Sequence, residues 1–282
     1  MKQKFLDYLL LMRLHKPIGI WLLLWPTLWG LWFAAGGYPP AKVLVIFIAG
    51  TVLMRSAGCV INDLADRKFD PHVERTKDRP VAAGRVAPAE ALRLFVVLCL
   101  IAFGLVTQLN TATVLLSLPA VVLAASYPYA KRFHSLPQAH LGLAFSWGIP
   151  MAFTALNKPV DWELCILLML TTVFWAIAYD TFYAMVDRDD DLKIGVKSSA
   201  ILFGAHDRVV TALLQAATLG CLLAAGWQRG TFYYAGLAAA AGLALYQQWL
   251  IRNRDPASCF KAFLNNNPFG AVIFLGLLLD FG

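Results

Sequence analysis

The chain has 282 residues, of which 59% are hydrophobic and only 15% are charged, and its mean hydropathy is +0.62. A soluble domain is roughly half apolar and about a quarter charged, so this composition excludes an ordinary water-soluble protein. The apolar residues are concentrated in runs of ~20 residues, the length of helix that crosses the hydrocarbon core of a bilayer. The sequence therefore predicts an all-α integral membrane protein.

The first 16 residues precede these runs and differ from them. Their leucines and basic residues fall on partly different helical faces, which predicts an amphipathic helix lying in the membrane interface. Nine transmembrane helices are expected to follow, packed as a single domain over residues 1–282 around a central cavity. They are predicted near residues 17–36, 41–62, 89–108, 111–130, 137–156, 162–185, 208–226, 231–250 and 264–281. The polar connections 63–88 and 187–207 are expected to be loops that order over a bound substrate.

The basic residues indicate which side of the membrane each connection occupies. With nine crossings, 20 of the 24 Lys and Arg residues fall on the N-terminal side, three fall on the other side, and Arg55 lies within a span. Lys and Arg are enriched in cytoplasmic segments, so the N-terminus is predicted to be cytoplasmic. The same bias accounts for the formal charge of +7 without a nucleic-acid partner. No motif encodes an oligomeric state.

Two acidic clusters stand where the second and sixth predicted spans end, both on the cytoplasmic side. The first reads NDLADRKFD and begins at Asn62, and the second reads DTFYAMVDRDDD and begins at Asp180. Facing carboxylates suit Mg²⁺, which binds one or two of them together with phosphate oxygens and water. The alternative is a pair of solvated acidic helix caps. The residues spaced to share one helical face are Asn62, Asp66 and Asp70 in the first cluster and Asp180, Asp187 and Asp191 in the second.

Two further polar features accompany the clusters. Tyr127 and Lys131 are four residues apart at the end of the fourth span, so both could support one diphosphate, although such a pair also anchors helices at the interface. Arg55 lies seven residues before Asn62, about 10 Å deeper along a helix. A charge there is unfavourable unless it is paired or lines a wet cavity. Two interpretations remain open: an ion pair with Asp180, or a guanidinium fork that binds a substrate carboxylate.

The spacings NDxxDxxxD, DxxYAxxDxxxD and YxxxK, together with nine spans, resemble the UbiA superfamily of intramembrane aromatic prenyltransferases along the whole chain. KPIGIWLLLWPTLWGLW at 16–32, RTKDRP at 75–80 and CFKAFLNNN at 259–267 are similar to the bacterial members that act on 4-hydroxybenzoate. The resemblance implies Mg²⁺-dependent transfer of a long chain from polyprenyl diphosphate to 4-hydroxybenzoate, at the ring carbon ortho to the hydroxyl. This reaction belongs to ubiquinone synthesis and is expected at the cytoplasmic face of the bacterial inner membrane.

The resemblance also implies roles for individual residues. The expected metal ligands are Asn62, Asp63, Asp66, Asp70, Asp187 and Asp191. The expected substrate-binding residues are Arg55, Arg67, Arg75, Arg79, Tyr127, Lys131, Arg132, Tyr183 and Lys193. Arg55 is expected to hold the carboxylate of the acceptor. Either Asp180 or Asp191 is expected to take the ring proton, and the sequence does not choose between them.

Two other functions fit parts of the pattern. Intramembrane charges also mark ion paths in transporters, but a transporter needs polar residues through the full depth of the membrane. Here Arg55 and Asp180 both lie toward the cytoplasmic half. The second alternative is a related prenyltransferase that uses another aromatic acceptor, such as 1,4-dihydroxy-2-naphthoate.

Overall fold

The computed structural model describes residues 2–72 and 76–281, and all the regular structure in these ranges is helical. The predicted all-α fold is therefore confirmed. Three short 3₁₀ segments connect some of the helices. The α-helices are α1 (Lys2–Leu11), α2 (Ile18–Ala35), α3 (Ala41–Ala65), α4 (Pro88–Val106), α5 (Thr111–Phe133), α6 (Pro137–Ser146), α7 (Gly148–Ala155), α8 (Trp162–Ile194), α9 (Ser199–Phe203), α10 (Asp207–Ala225), α11 (Thr231–Leu250), α12 (Pro256–Leu264) and α13 (Asn266–Asp280).

Seven helical stretches in the described residues are long and apolar enough to cross a membrane. They comprise α2, α3, α4, α5, α8, the α9–α10 pair and the α12–α13 pair. Two of the nine predicted crossings are not among them. The fifth is divided at Trp147 into the short helices α6 and α7, and the indole of Trp147 donates a hydrogen bond to the Leu116 carbonyl (2.8 Å). The eighth, α11, has 20 residues but is less apolar, because it contains Gln247 and Gln248.

Aromatic side chains pack α2, α8 and α13 together at the centre of the bundle. The ring centroids of Trp29 and Trp175 are 5.2 Å apart, and those of Trp175 and Phe269 are 5.6 Å apart. The indole nitrogen of Trp175 donates a hydrogen bond to the Asn266 side chain (2.8 Å), so the polar end of this ring is satisfied within the core. On the outside of the bundle large aliphatic side chains such as Leu100 and Leu245 are exposed. This distribution is that of a bundle surrounded by lipid.

The first acidic cluster does not continue as one helical stripe, which corrects the expectation for Asn62, Asp66 and Asp70. Helix α3 ends at Ala65, Asp66 follows it, and Asp70 begins a 3₁₀ turn. The carbonyl of Ala65 accepts a hydrogen bond from Arg132 (2.6 Å) instead of from the next helical turn, while the amide of Phe69 donates to the carbonyl of Asp66 (2.8 Å). The regular helix therefore ends before Asp66, and the residues that follow form turns in which the Asp66 carbonyl accepts hydrogen bonds from the amides of Phe69 and Asp70.

At the second acidic cluster the helix is longer than expected. Helix α8 continues for 33 residues to Ile194, so the first part of the expected loop 187–207 is helical, and α9 occupies another part of it. Lys193 lies in the last turn, where a cation interacts favourably with the helix dipole. The helix ends at Gly195, whose φ of +71° lies in the left-handed region that glycine adopts without strain.

Helix α1 packs on the segment that follows the first cluster. Arg85 pairs with the buried Asp7 (2.9 Å), and Lys4 pairs with Glu90 at the start of α4 (2.7 Å). Leu11 is fully buried, whereas Phe5 on the same helix is exposed. The helix thus has one face against the protein and one apolar face outside it.

Candidate active site

A cavity of about 590 Å³ lies where α3, α5 and α8 end. Both acidic clusters line it, although more than a hundred residues separate them in the chain. The acidic and amide side chains at its wall are Asn62, Asp63, Asp66, Asp70, Asp78, Gln138, Asp180, Asp187 and Asp191. The basic and tyrosine side chains at its wall include Arg13, Arg55, Arg79, Tyr127, Lys131, Tyr179 and Tyr183. The fold therefore brings both predicted clusters and the YxxxK pair to one chamber.

Two arginines hold the carboxylates of the first cluster in place. Asp63 is buried, and its Oδ1 accepts hydrogen bonds from Arg13 (2.6 Å) and Arg79 (3.1 Å). Arg79 also pairs with Oδ2 of Asp70 (3.0 Å). Burial raises the pKa of Asp70, and the neighbouring Arg79 opposes that shift. Because the same nitrogen, Nη1, donates to both side chains, Arg79 holds together two carboxylates that were expected to bind metal.

The tyrosine and lysine of the YxxxK pair contact the same cluster. The hydroxyl of Tyr127 donates a hydrogen bond to Oδ1 of Asn62 (3.3 Å), and Lys131 pairs with Oδ2 of Asp66 (2.6 Å). The other carboxylate oxygen of Asp66, Oδ1, is buried and has no protein partner. A carboxylate is therefore oriented by Lys131 while one of its oxygens remains available to a ligand.

Arg55 lies one to two helical turns before this cluster on α3. Its Nη1 donates to the sulfur of Cys59 (3.0 Å), and its guanidinium carbon lies 6.0 Å from the centre of the Phe145 ring. Its Nε is buried without a hydrogen-bond partner. Among the described residues no salt bridge joins Arg55 to Asp180, although both line the cavity. The ion-pair interpretation is therefore not supported by this structure.

Several residues expected at the substrate make other contacts. Arg67 donates to the carbonyl of Leu64 (2.9 Å), and Lys193 pairs with Asp190 (3.2 Å). Arg132 donates to the carbonyl of Ala65 and lies 5.3 Å from the centre of the Phe69 ring. None of the three is among the described residues that line the cavity. Arg75, also expected at the substrate, lies outside the described residues.

Arg13 is a wall residue that the sequence did not reveal. It lies after α1, within the segment expected to rest in the membrane interface, and it adopts a left-handed backbone conformation with a φ of 54°. Such a conformation is uncommon for a residue with a side chain. Here it accompanies the contact of Arg13 with the buried Asp63. An arginine 50 residues away from its partner gives no sequence signal for such a contact.

A group of charged residues that the sequence did not reveal lies next to the second acidic cluster. Asp207, at the start of α10, is completely buried and pairs with Arg254 (2.7 Å) and Arg188 (3.4 Å). Arg188 also donates to the carbonyls of Ala200 and Gly204, the latter at 2.9 Å. Because Arg188 directly follows Asp187, these contacts attach the acidic end of α8 to the start of α10. The three charged residues are too far apart in the chain to form a recognisable motif.

The residues at the wall fit a metal ion that is bound together with other ligands. Among the described residues no group of three or more Asp, Glu, His or Cys side chains is close enough to hold an ion without help. Mg²⁺ does not need such a group, because it commonly takes one or two carboxylates and completes its octahedron with phosphate oxygens and water. The unpartnered oxygen of Asp66 and the carboxylates across the cavity fit an ion that is bound together with a diphosphate.

An apolar chamber of about 160 Å³ adjoins the polar cavity. Helices α2 to α7 line it, and its wall includes Gly50, Phe103 and Met151. Arg55 and Phe145 belong to the walls of both chambers. The fold and site define a membrane enzyme for a substrate with a charged head and an apolar chain.

Comparisons with known proteins identify this class. Residues 23–275 match the model of the UbiA prenyltransferase family. Proteins named 4-hydroxybenzoate octaprenyltransferase are similar to the chain: that of Alkalilimnicola ehrlichii is 61% identical, over 97% of this chain and 94% of its own, and that of Nitrosococcus oceani is 59% identical, over 100% and 99%. The chain therefore belongs to the UbiA prenyltransferase family, which confirms the resemblance drawn from its motifs, and it is a multi-pass membrane protein.

Solved structures have the same fold. A UbiA homolog from Aeropyrum pernix K1 superposes with a TM-score of 0.82 at 24% identity, covering 93% of this chain and 97% of its own. A UbiA homolog from Archaeoglobus fulgidus, bound to GPP and Mg²⁺, superposes with a TM-score of 0.70 at 19% identity, covering 95% and 99%. A divalent metal and a prenyl diphosphate thus occur together in a protein with this fold.

Proposed function

We propose that this protein transfers a long polyprenyl group from polyprenyl diphosphate to 4-hydroxybenzoate, at the ring carbon ortho to the hydroxyl, in ubiquinone biosynthesis. The observation that carries the proposal is the position of Arg55 at the junction of a carboxylate-lined cavity and an apolar chamber. Relatives that are 55–61% identical over nearly the whole chain, and that are named 4-hydroxybenzoate octaprenyltransferases, support the choice of acceptor.

The diphosphate head is assigned to the rim of the polar cavity. Asn62, Asp66, Asp187 and Asp191 offer oxygen ligands for Mg²⁺, which when bound would neutralise charge on the diphosphate oxygens. Lys131 lies 2.6 Å from Asp66 at the same wall, so its ammonium group would add a positive charge beside the diphosphate. These positive charges stabilise the diphosphate more strongly in the transition state, when its bond to the prenyl carbon is breaking, than before reaction. Stabilisation of this kind accelerates the bond-breaking step.

The prenyl chain is assigned to the apolar chamber. A cavity of roughly 150 Å³ holds a molecule the size of benzene, so this chamber of about 160 Å³ accommodates only the first prenyl units. The rest of a long chain extends into the surrounding lipid, where its burial is favourable without any protein contact.

The acceptor is assigned to the deep part of the polar cavity, beside Arg55. The planar guanidinium binds a carboxylate through two parallel hydrogen bonds, which would direct the ring toward the junction of the chambers. The bond between the prenyl carbon and the diphosphate oxygen breaks, its electron pair leaves with the diphosphate, and a ring π pair forms the new carbon–carbon bond. The ring proton then passes to Asp180 or Asp191. Apolar walls exclude water, which would otherwise trap the allylic cation.

The topology that suits this assignment has nine crossings and a cytoplasmic N-terminus in the bacterial inner membrane. Helices α6 and α7 together, and α11, would provide the two crossings beyond the seven long apolar stretches. The excess of Lys and Arg on the N-terminal side supports this orientation. The diphosphate would then enter the polar cavity from the cytoplasm.

The proposal is tested with purified protein in nanodiscs. Octaprenyl diphosphate is the donor, 4-hydroxybenzoate or 1,4-dihydroxy-2-naphthoate is the acceptor, and products are measured by mass spectrometry with Mg²⁺ or with EDTA. We expect Mg²⁺-dependent prenylation of 4-hydroxybenzoate and at most a trace of the naphthoate product. Preference for the naphthoate would contradict the acceptor assignment, and full activity in EDTA would contradict the metal assignment.

A further inference from the structure

Buried polar atoms without a hydrogen-bond partner are concentrated at the polar cavity. The described residues contain seven such side-chain atoms, and four of them belong to residues at the cavity wall: Arg55 Nε, Asp66 Oδ1, Tyr179 OH and Ser198 Oγ. A buried polar atom without a partner is unfavourable, and folded proteins satisfy nearly all of them. Their concentration in one cavity indicates that a bound ligand completes them. Asp66 and Arg55 already have proposed ligands, but Tyr179 does not.

The hydroxyl of Tyr179 is held in a fixed position. The side chain is 2% exposed, and its ring packs edge-on against Trp175 at a centroid distance of 5.2 Å. Phe263 packs against it at 6.2 Å, also edge-on. Because these rings hold the tyrosine ring in place, the hydroxyl oxygen cannot move to reach another partner, although its hydrogen can rotate. Ser198 differs, since a serine hydroxyl rotates easily toward a nearby backbone oxygen.

The position of Tyr179 selects the acceptor rather than the diphosphate as its ligand. Tyr179 precedes Asp187 on α8 by eight residues, which corresponds to about 12 Å along the helix axis. Arg55 precedes Asp66 on α3 by eleven residues, or about 16 Å. Both donors therefore lie well below the carboxylates proposed for Mg²⁺. Tyr179 and Arg55 both belong to the wall of the polar cavity.

We propose that the Tyr179 hydroxyl donates a hydrogen bond to the carboxylate of the aromatic acceptor, next to the guanidinium of Arg55. A carboxylate has about four acceptor positions, so it can take the fork of Arg55 and a further hydroxyl donor together. Two donors from different helices, α3 and α8, would set the orientation of the ring as well as its position. Tyr179 is thus a specificity-determining residue for acidic acceptors, an assignment that rests on the proposed function.

The test is the Tyr179→Phe variant, which removes the hydroxyl and keeps the ring packed against Trp175. Loss of one hydrogen bond to a charged group should raise the KM for 4-hydroxybenzoate by about 10-fold. The KM for the prenyl donor should change less than twofold. Tyr233→Phe is the matched control, because Tyr233 is also fully buried, while its hydroxyl donates to the Leu222 carbonyl (2.7 Å) outside the cavity.

Two competitive inhibitors distinguish which acceptor group Tyr179 contacts. Benzoate keeps the carboxylate without the hydroxyl, and 4-cresol keeps the hydroxyl without the carboxylate. We expect Tyr179→Phe to weaken inhibition by benzoate about 10-fold and to leave inhibition by 4-cresol unchanged. Equal weakening of both inhibitors, or of neither, overturns the proposal. Failure of the unmodified protein to prenylate 4-hydroxybenzoate would instead overturn the proposed function.

Discussion

Gly19, near the start of α2, allows the guanidinium of Arg55 to lie directly against that helix. A Cβ added at Gly19 would stand 2.7 Å from the Arg55 Cζ and closer still to its Nε and Nη2. Carbon atoms in favourable contact are about 3.5–4.0 Å apart, so the guanidinium of a Gly19→Ala variant must retreat by roughly 1 Å. Because these atoms are the far end of a flexible side chain, the arginine should move and the helix should stay in place.

The size of the effect follows from that displacement. A misplacement of 1 Å in a positioning group can cost about 100-fold in rate, and loss of a charged hydrogen bond costs about 1.5–3 kcal/mol. We therefore expect Gly19→Ala to lower kcat/KM for 4-hydroxybenzoate by roughly 10- to 100-fold. Saturation by the prenyl diphosphate should hardly change, because the acidic clusters and Lys131 are untouched.

The assay is initial-rate kinetics in nanodiscs, with each substrate varied while the other is saturating. Gly104→Ala is the control, because Gly104 lies near the end of α4, an added Cβ meets no atom within 4 Å, and neither chamber includes it. An unchanged acceptor KM in Gly19→Ala would refute the role of Arg55 at the acceptor. An equal loss of donor saturation would place Arg55 at the diphosphate instead.

Three other predictions test the donor site, the apolar chamber and the cluster behind α8. Asp66→Ala should lower Mg²⁺-dependent transfer by about 100-fold or more, and a normal rate in folded protein would exclude Asp66 as a ligand. Gly50→Phe, at a position of the apolar chamber where an added Cβ meets no atom within 4 Å, should impair use of octaprenyl and geranyl diphosphate alike, because both place their first prenyl units there, and Gly50→Ala should have a smaller effect; unchanged rates would contradict the chamber assignment. Arg254→Gln removes a partner of the buried Asp207, and because Arg188 remains nearby the loss should be about 2 kcal/mol, below the ~3–5 kcal/mol of a completely broken buried pair. The apparent unfolding temperature should then fall by roughly 5 °C and recover in part when Asp207→Asn is added; no change would show that the pair contributes nothing.

The acidic clusters show how far local pattern predicts a site. Their residue types and spacing indicated oxygen ligands for a metal and a diphosphate, and the structure brings them to one cavity. The spacing did not predict where the two helices end, because an argument from helical periodicity assumes a continuous helix. Helix α3 ends at Ala65, whose carbonyl accepts a hydrogen bond from the distant Arg132. Helix α8, in contrast, continues through the second cluster. These outcomes depend on partners that no local pattern contains.

The residues at the cavity wall show the same limit of prediction from local sequence. Arg79, which was expected to bind substrate, lies at the cavity wall and pairs with Asp63 and Asp70, two contacts that the sequence did not predict. Arg13 could not be identified in advance, because its partner lies 50 residues away and its own surroundings in the chain are ordinary. Long-range ion pairs are decided by which helices pack together, and packing is a property of the whole bundle.

The sequence by itself determined that this is an all-α membrane protein of the UbiA prenyltransferase family with two acidic clusters. Run length, residue type and spacing are local properties, and the physics of the bilayer acts on them directly. Only the tertiary structure decided that Arg55 lies against Gly19 without an ion pair to Asp180, and that Tyr179, with a buried and unpartnered hydroxyl, belongs to the wall of the same cavity. Such contacts depend on how the helices pack, because each joins residues that are far apart in the chain.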